Sequence, residues 1–204
     1  IRAGREVIQF THGLMQEVAV GSLTARRRQR LHREAHHALR TATATLGADP
    51  DAVLANHAWH GELWEAAAGH AQVSMRRSIA RSANRAALKM YELGLDAIGH
   101  LTAGPDVWKA ELGLRLTVLG ALLPTGKIDE IVVNLEHAES IAARLGNRRQ
   151  QSNALLQLAL THWIRGSYRK GLDAAGKAMV NARDENDNTI GMAALQLTMM
   201  LNHG

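Results

Sequence analysis

Amphipathic segments that end on glycine and return about every forty residues constrain this chain more than any other feature of it. Leu123-Pro124-Thr125-Gly126, Trp163-Ile164-Arg165-Gly166 and Leu201-Asn202-His203-Gly204 each close a segment with an apolar residue, a short spacer and glycine. Gly126, Gly166 and Gly204 stand 40 and 38 residues apart. After Gly126 come Ile128, Ile131, Leu135 and Ala138, and after Gly166, at the same offsets, come Tyr168, Gly171, Ala175 and Ala178. Glycine supplies the positive φ of a tight reversal, and small residues seven apart let two helices approach closely. A weaker unit precedes these, with Gly61, Leu63, Ala66 and His70, then Asn84, Ala87, Tyr91 and Gly94. Each segment has one apolar side, so neighbours must stack to hide it. The expected fold is all-α, an α-α superhelix of stacked antiparallel helical hairpins, with Gly61, Gly126, Gly166 and Gly204 as the structural turn residues.

Composition agrees. Of 204 residues, 46% are apolar and only 3% aromatic, and the apolar content is mostly alanine and leucine, strong helix formers. The three prolines, Pro50, Pro105 and Pro124, stand where helices start or stop, as their missing N–H requires. Residues 5–10 read as a short strand, with a short helix from Gly13. Ser22 is placed to cap a helix over 23–46 that Gly47 stops, with Leu31, Ala35, Ala38, Leu39 and Ala42 as its packed face. Asp49-Pro50-Asp51 is a strong start for a helix to His60. Further helices are expected over 63–81, 84–101, 108–123, 128–145, 149–165, 168–183 and 189–202.

The hairpins resemble the tetratricopeptide repeat, with units longer than its usual length of about 34 residues. The chain divides accordingly. Residues 1–47 hold an N-terminal region and a basic helix. Residues 48–204 hold the repeats: a weak unit at 49–101, clearer ones at 106–146 and 148–184, and a truncated one at 188–204. That last unit carries Met192, Leu195 and Met199 with no second helix behind them, which predicts association, a homodimer through these residues included.

The net charge of +5 is unevenly spread, with Arg26, Arg27, Arg28, Arg30 and Arg33 close together near the N-terminus. They are read as a basic partner surface. Nucleic acid is disfavoured because no aromatics interleave with them. There is no cysteine, which removes thiol chemistry and Cys-ligated metal sites and suits a cytoplasmic setting. No apolar run approaches the ~20 residues that span a bilayer. Among the 11 histidines, His32 and His36 lie one turn apart, but the order H-R-E-A-H misplaces Glu34 for a zinc hydrolase and no third ligand is evident. His57 and His60 are read as surface or packing residues, and His162 as a hydrogen-bonded core histidine. Trp59, Trp64, Trp108 and Trp163 are read as helix packing. No G-x-S-x-G elbow and no G-x-x-x-x-G-K-[ST] loop occurs. No cofactor is expected.

A more specific resemblance lies in Phe10-Thr11-His12-Gly13-Leu14-Met15-Gln16-Glu17-Val18-Ala19, Ser22-Leu23 and the run from Arg27 to Leu31-His32. It continues in Ala80-Arg81-Ser82-Ala83-Asn84, Ala87-Leu88, and Ala138-Glu139 to Leu145-Gly146. These segments resemble the junction between winged helix and helical-repeat sensor in bacterial STAND-type ATPase regulators. They are most similar to those that also carry a class III adenylate/guanylate cyclase domain. Val20 stands where such junctions have an aromatic. The resemblance implies a parent that makes cyclic nucleotide and hydrolyses ATP, and a role for this segment as its non-catalytic sensor or interaction arm. The expected partner is a protein or peptide, other domains of the same chain included, bound on a concave repeat surface. The alternative is the helical-repeat arm of a STAND-type transcriptional regulator whose DNA-binding domain lies elsewhere.

Overall fold

A computed structural model describes residues 21–41 and 47–202. The expected strand at 5–10, the helix from Gly13, and Gly204 lie outside the described residues. Among those described, every regular element is helical: α1 Ala25–Arg40, α2 Pro50–His60, α3 Trp64–Ala80, α4 Asn84–Gly99, α5 Pro105–Thr117, α6 Leu119–Leu122, α7 Ile128–Arg144, α8 Arg148–Ile164, α9 Tyr168–Asp184 and α10 Asn188–Asn202. None is long and apolar enough to cross a membrane. Extensive helix contacts join only elements one or two places apart in the chain.

One turn recurs. Glu62, Ser82, Gly126, Gly146, Gly166 and Asn186 have φ of 54°, 56°, 68°, 64°, 74° and 54°, and each stands two residues before a helix starts. In five of the six, the next residue donates its N–H to the carbonyl five residues back. These bonds are Leu63 to Ala58 (2.9 Å), Ala83 to Ser78 (2.9 Å), Asn147 to Ala142 (2.9 Å), Ser167 to His162 (2.8 Å) and Asp187 to Ala182 (2.9 Å). This is the left-handed helix stop that satisfies a free terminal carbonyl. The spacing between stops is 20 residues from Glu62 to Ser82 and again from Gly126 through Gly146 and Gly166 to Asn186. Accordingly α3, α7, α8 and α9 are each 17 residues long. The forty-residue period is two such units.

The structure corrects several expectations. Gly61 is not the left-handed residue: its φ is −84°, and the reversal falls on Glu62. Gly61 is small for another reason, because a Cβ there would lie 3.0 Å from Arg33 Cγ. The unit following this turn is therefore Trp64, Ala67, Ala71 and Ser74, one residue later than Leu63, Ala66 and His70. Ala67, Ala71 and Ser74 are buried. Thr24, not Ser22, caps α1, accepting from the Arg27 N–H at 3.4 Å. The α1 face read as packed is so only in part: Leu31 is 42% exposed and Ala38 is exposed, Ala35 and Leu39 are half-buried, Ala42 lies outside the described residues, and His36 is the one buried residue of the helix. The helix expected over 108–123 starts at Pro105 and breaks after Thr117, whose hydroxyl bonds the Gly113 carbonyl at 2.7 Å, a local competitor of the helix ladder. Pro124, which has no N–H, then leaves the last turn as a 3-10 helix over Leu123–Thr125.

Two polar clamps tie the hairpins together. Asp49 caps α2 through the Ala52 N–H (3.3 Å) and reaches Arg77 (2.7 Å) and Ser74 (2.8 Å) on α3. Further along, the Tyr91 hydroxyl of α4 donates to Asn134 of α7 (2.6 Å), whose amide donates to the Arg115 carbonyl of α5 (2.8 Å). Burial raises the Tyr91 pKa, which keeps this donor protonated. The apolar core runs unbroken from Ala55 to Leu201.

A non-glycine residue in the left-handed region carries steric strain of about 1 kcal/mol. Ser82→Gly is expected to raise stability by up to about 1 kcal/mol, and Gly166→Val to lower it by more than about 1 kcal/mol. Chemical denaturation of the two variants would check the opposite signs.

Candidate interaction grooves

The second helices α4, α7 and α9 stand apart, and each gap is floored by the first helix between them. Between α7 and α9, over α8, lies an open groove of about 960 Å³. Between α4 and α7, over α5 and α6, lies one of about 450 Å³. The repeat register relates them. Lys127, Asp129, Glu130, Val133 and Asn134 on α7 and the turn before it line the smaller groove. Their equivalents forty residues on, Ser167, Arg169, Lys170, Asp173 and Ala174, line the larger one. The frame is shared while the chemistry changes sign, with Asp129 and Glu130 becoming Arg169 and Lys170.

The larger groove has acidic Glu136 and Glu139 on its α7 wall and Arg169, Lys170 and Lys177 on its α9 wall. Lys177 bonds Asp173 at 2.8 Å on the same helix, and that carboxylate raises its pKa. The floor is Leu155, Leu158 and His162. His162 is buried, as expected, but it is not hydrogen-bonded as expected: its buried Nδ1 has no partner. Burial, then Lys170, lowers its pKa, so the floor is neutral at pH 7. Trp163, expected to pack, is exposed at the surface. The other tryptophans do pack: Trp59 Nε1 donates to Asp96 at 2.6 Å, Trp64 stacks on His100 at 4.1 Å, and Arg144 covers the Trp108 ring at 5.0 Å.

The basic cluster on α1 is divided in its tasks. Arg33 Nε donates to the Gly61 carbonyl at 2.5 Å and so fixes α1 to the α2–α3 turn. Arg28 bonds the Leu23 carbonyl at 3.2 Å ahead of its own helix, and Arg30 approaches Glu34 at 3.5 Å. Arg26 and Arg27 are exposed. Beside them the fold assembles a histidine joint that helix spacing alone did not reveal. His32 Nδ1 lies 3.1 Å from His57 Nδ1, His60 stacks on His32 at 4.7 Å, and buried His36 meets the edge of His70 at 5.4 Å. Among the described residues no three histidine or carboxylate side chains are placed to hold a metal ion.

No family model, no curated protein and no solved structure matches this chain. The functional reading therefore rests on its own geometry and residues.

Burial, then the imidazoles of His60 and His57, lowers the His32 pKa. Burial, then His70 and Arg40, lowers that of His36, and burial, then His60, lowers that of His57. The unfolded chain therefore takes up these protons first as pH falls. Stability is full above the ordinary histidine value of 6.5 and declines as pH drops through it. Denaturant midpoints between about pH 7.5 and about pH 5.5 should fall, and the drop should shrink in a His32→Gln/His57→Gln variant.

Proposed function

We propose that this chain is a non-catalytic protein-interaction module, built as a superhelix of stacked tetratricopeptide-like hairpins, that holds polypeptide segments in the grooves between successive second helices. The observation that carries this reading is the recurrence of the grooves at one repeat register with the charge reversed at two matched positions, Asp129 and Glu130 against Arg169 and Lys170. Such an arrangement selects among peptides by charge, as a row of stacked repeats does. The walls of the larger groove suit a segment carrying both signs of charge around an apolar centre that rests on Leu155 and Leu158.

The sequence resemblance to STAND-type ATPase regulators with a cyclase domain supports a partner within such a signalling protein, where the module would bias the ATPase between states. A DNA-linked regulator arm would present the same repeats, and only that resemblance favours the cyclase-linked form over it.

A photo-crosslinking amino acid at Tyr168, in the groove, is expected to trap polypeptide adducts in cells, with a yield that changes on ATP depletion. The same probe at Arg76, away from either groove, should trap none. Charge reversal by Lys170→Glu and Lys177→Glu should abolish the Tyr168 adduct while leaving the circular dichroism spectrum unchanged. Equal adducts at both positions would overturn the reading.

A further inference from the structure

Helix α1 is held to the repeats by imidazoles more than by the apolar core. Among the described residues, none of its apolar side chains belongs to that core, and its one buried residue is His36. His32 Nδ1 faces His57 Nδ1 of α2 at 3.1 Å, and the His32 ring stacks on His60 at 4.7 Å. His36 meets the His70 ring of α3 at 5.4 Å. Arg33 adds its bond to the Gly61 carbonyl.

Such a joint holds while its imidazoles are neutral. Two Nδ1 atoms at hydrogen-bond distance need one donor and one acceptor. With both rings protonated each Nδ1 carries a hydrogen, so the bond is lost and two cations face each other. Neither ring nitrogen of His36 has a hydrogen-bond partner among the described residues, so a charge there would be buried without an acceptor. The surroundings offer little compensation. On α1, Arg40 and His37 act on His36 with the same sign, and Glu34 is paired with Arg30. Arg26 and Arg28 share with His32, His60 and Glu62 an open cleft of about 720 Å³, in which Glu62 is the one carboxylate and is exposed. On α2, Asp51 already holds His70 (2.9 Å) and Arg77 (3.0 Å). Burial first, and neighbouring imidazoles next, lower the pKa of His32, His36 and His57. The docked helix therefore binds fewer protons than the free one, and undocking is favoured as pH falls.

We propose that α1 is an acid-released helix, which leaves the α2–α3 hairpin when its histidine joint takes up protons while the repeats stay folded. The rest of the molecule lacks the same weakness. The core from Ala55 to Leu201 is built without α1, and in a row of stacked units an end element can detach alone. The α2–α3 joint responds with the opposite sign. It rests on Arg77, which bonds Asp49 at 2.7 Å and Asp51 at 3.0 Å, and a protonated His70 pairs more strongly with Asp51. The fall in denaturant midpoint with pH is then the loss of this one docking. Release also frees Arg33 to join the exposed Arg26, Arg27 and Arg30. The inference is independent of what the grooves hold.

The test follows backbone hydrogen exchange of the full chain by mass spectrometry, corrected for the intrinsic dependence of exchange on pH. Between about pH 7.5 and about pH 5.5, protection over residues 25–40 is expected to fall at least about tenfold, and that over 64–80 and 148–164 to stay within about twofold. His32→Gln/His57→Gln, which replaces the titrating pair by neutral amides, should reduce the response of 25–40 to less than about threefold. His36→Leu, which removes only the buried ring, should keep 25–40 protected at the higher pH and weaken the response. Equal protection of 25–40 at both pH values in the unaltered chain overturns the proposal. So does loss of protection over 64–80 in step with 25–40, which is global unfolding, or an undiminished pH response in both variants.

Discussion

A single residue in the left-handed region, held two positions ahead of the next helix, sets the geometry on which the rest of this molecule depends. It lets the following N–H reach a carbonyl five residues back, which ends one helix and aims the next. Because the stop recurs at intervals of twenty residues from Glu62 to Ser82 and from Gly126 to Asn186, the helices between those stops have the same length and present the same numbered positions to one another. At two crossings small residues then meet small residues: Ala71 beneath Gly94, Ala159 beneath Gly171. The core is continuous because register, once set by the turns, is never lost for more than the one irregular stretch between α4 and α7.

How much of this was legible in the sequence follows from which residue type filled the stop. At Gly126 and Gly166 the glycine itself announced the reversal, and the helix that follows each begins at the residue expected. At Ser82 and Asn186 a polar residue tolerates the same φ, so the breaks expected between 81 and 84 and between 183 and 189 were legible but not the residue that makes the reversal. At Glu62 the neighbouring Gly61 drew the assignment to itself, because a glycine at a helix end is normally the left-handed residue. Here it is small to admit Arg33. The one-residue error then shifted the weak unit out of register and hid the buried run Ala67, Ala71 and Ser74.

The grooves were legible in part for a related reason. Periodicity picks out the inward positions, which repeat as small or apolar residues. The outward positions do not repeat in kind, so Asp129 and Arg169 become equivalent only once the stops are superposed. The histidine joint was less accessible still. His32 and His57 are 25 residues apart in the chain and meet only because Arg33 pins α1 to the α2–α3 turn. On α1 itself, the regular spacing of Leu31, Ala35 and Ala38 suggested a packed face. The structure instead buries His36 against the His70 ring, leaves Ala35 half-buried and turns Leu31 and Ala38 outward.

That separation of inward and outward positions is what gives the fold its functional latitude. A Cβ added at Gly171 would fall 2.7 Å from Leu201 Cδ2 and 3.1 Å from the Ala159 carbonyl oxygen, so this inward position leaves little room for a side chain. A charge exchanged at Arg169 or Lys170 touches only open groove and costs the scaffold little. The outward positions of one hairpin can therefore differ from those of the next without disturbing the scaffold, and the charge reversal from Asp129 and Glu130 to Arg169 and Lys170 falls on this outward side. α10 fits the same logic from the other side. Its buried Ile190, Ala194 and Leu201 keep the inward pattern, while Met192, Leu195 and Met199 stand exposed on its other side.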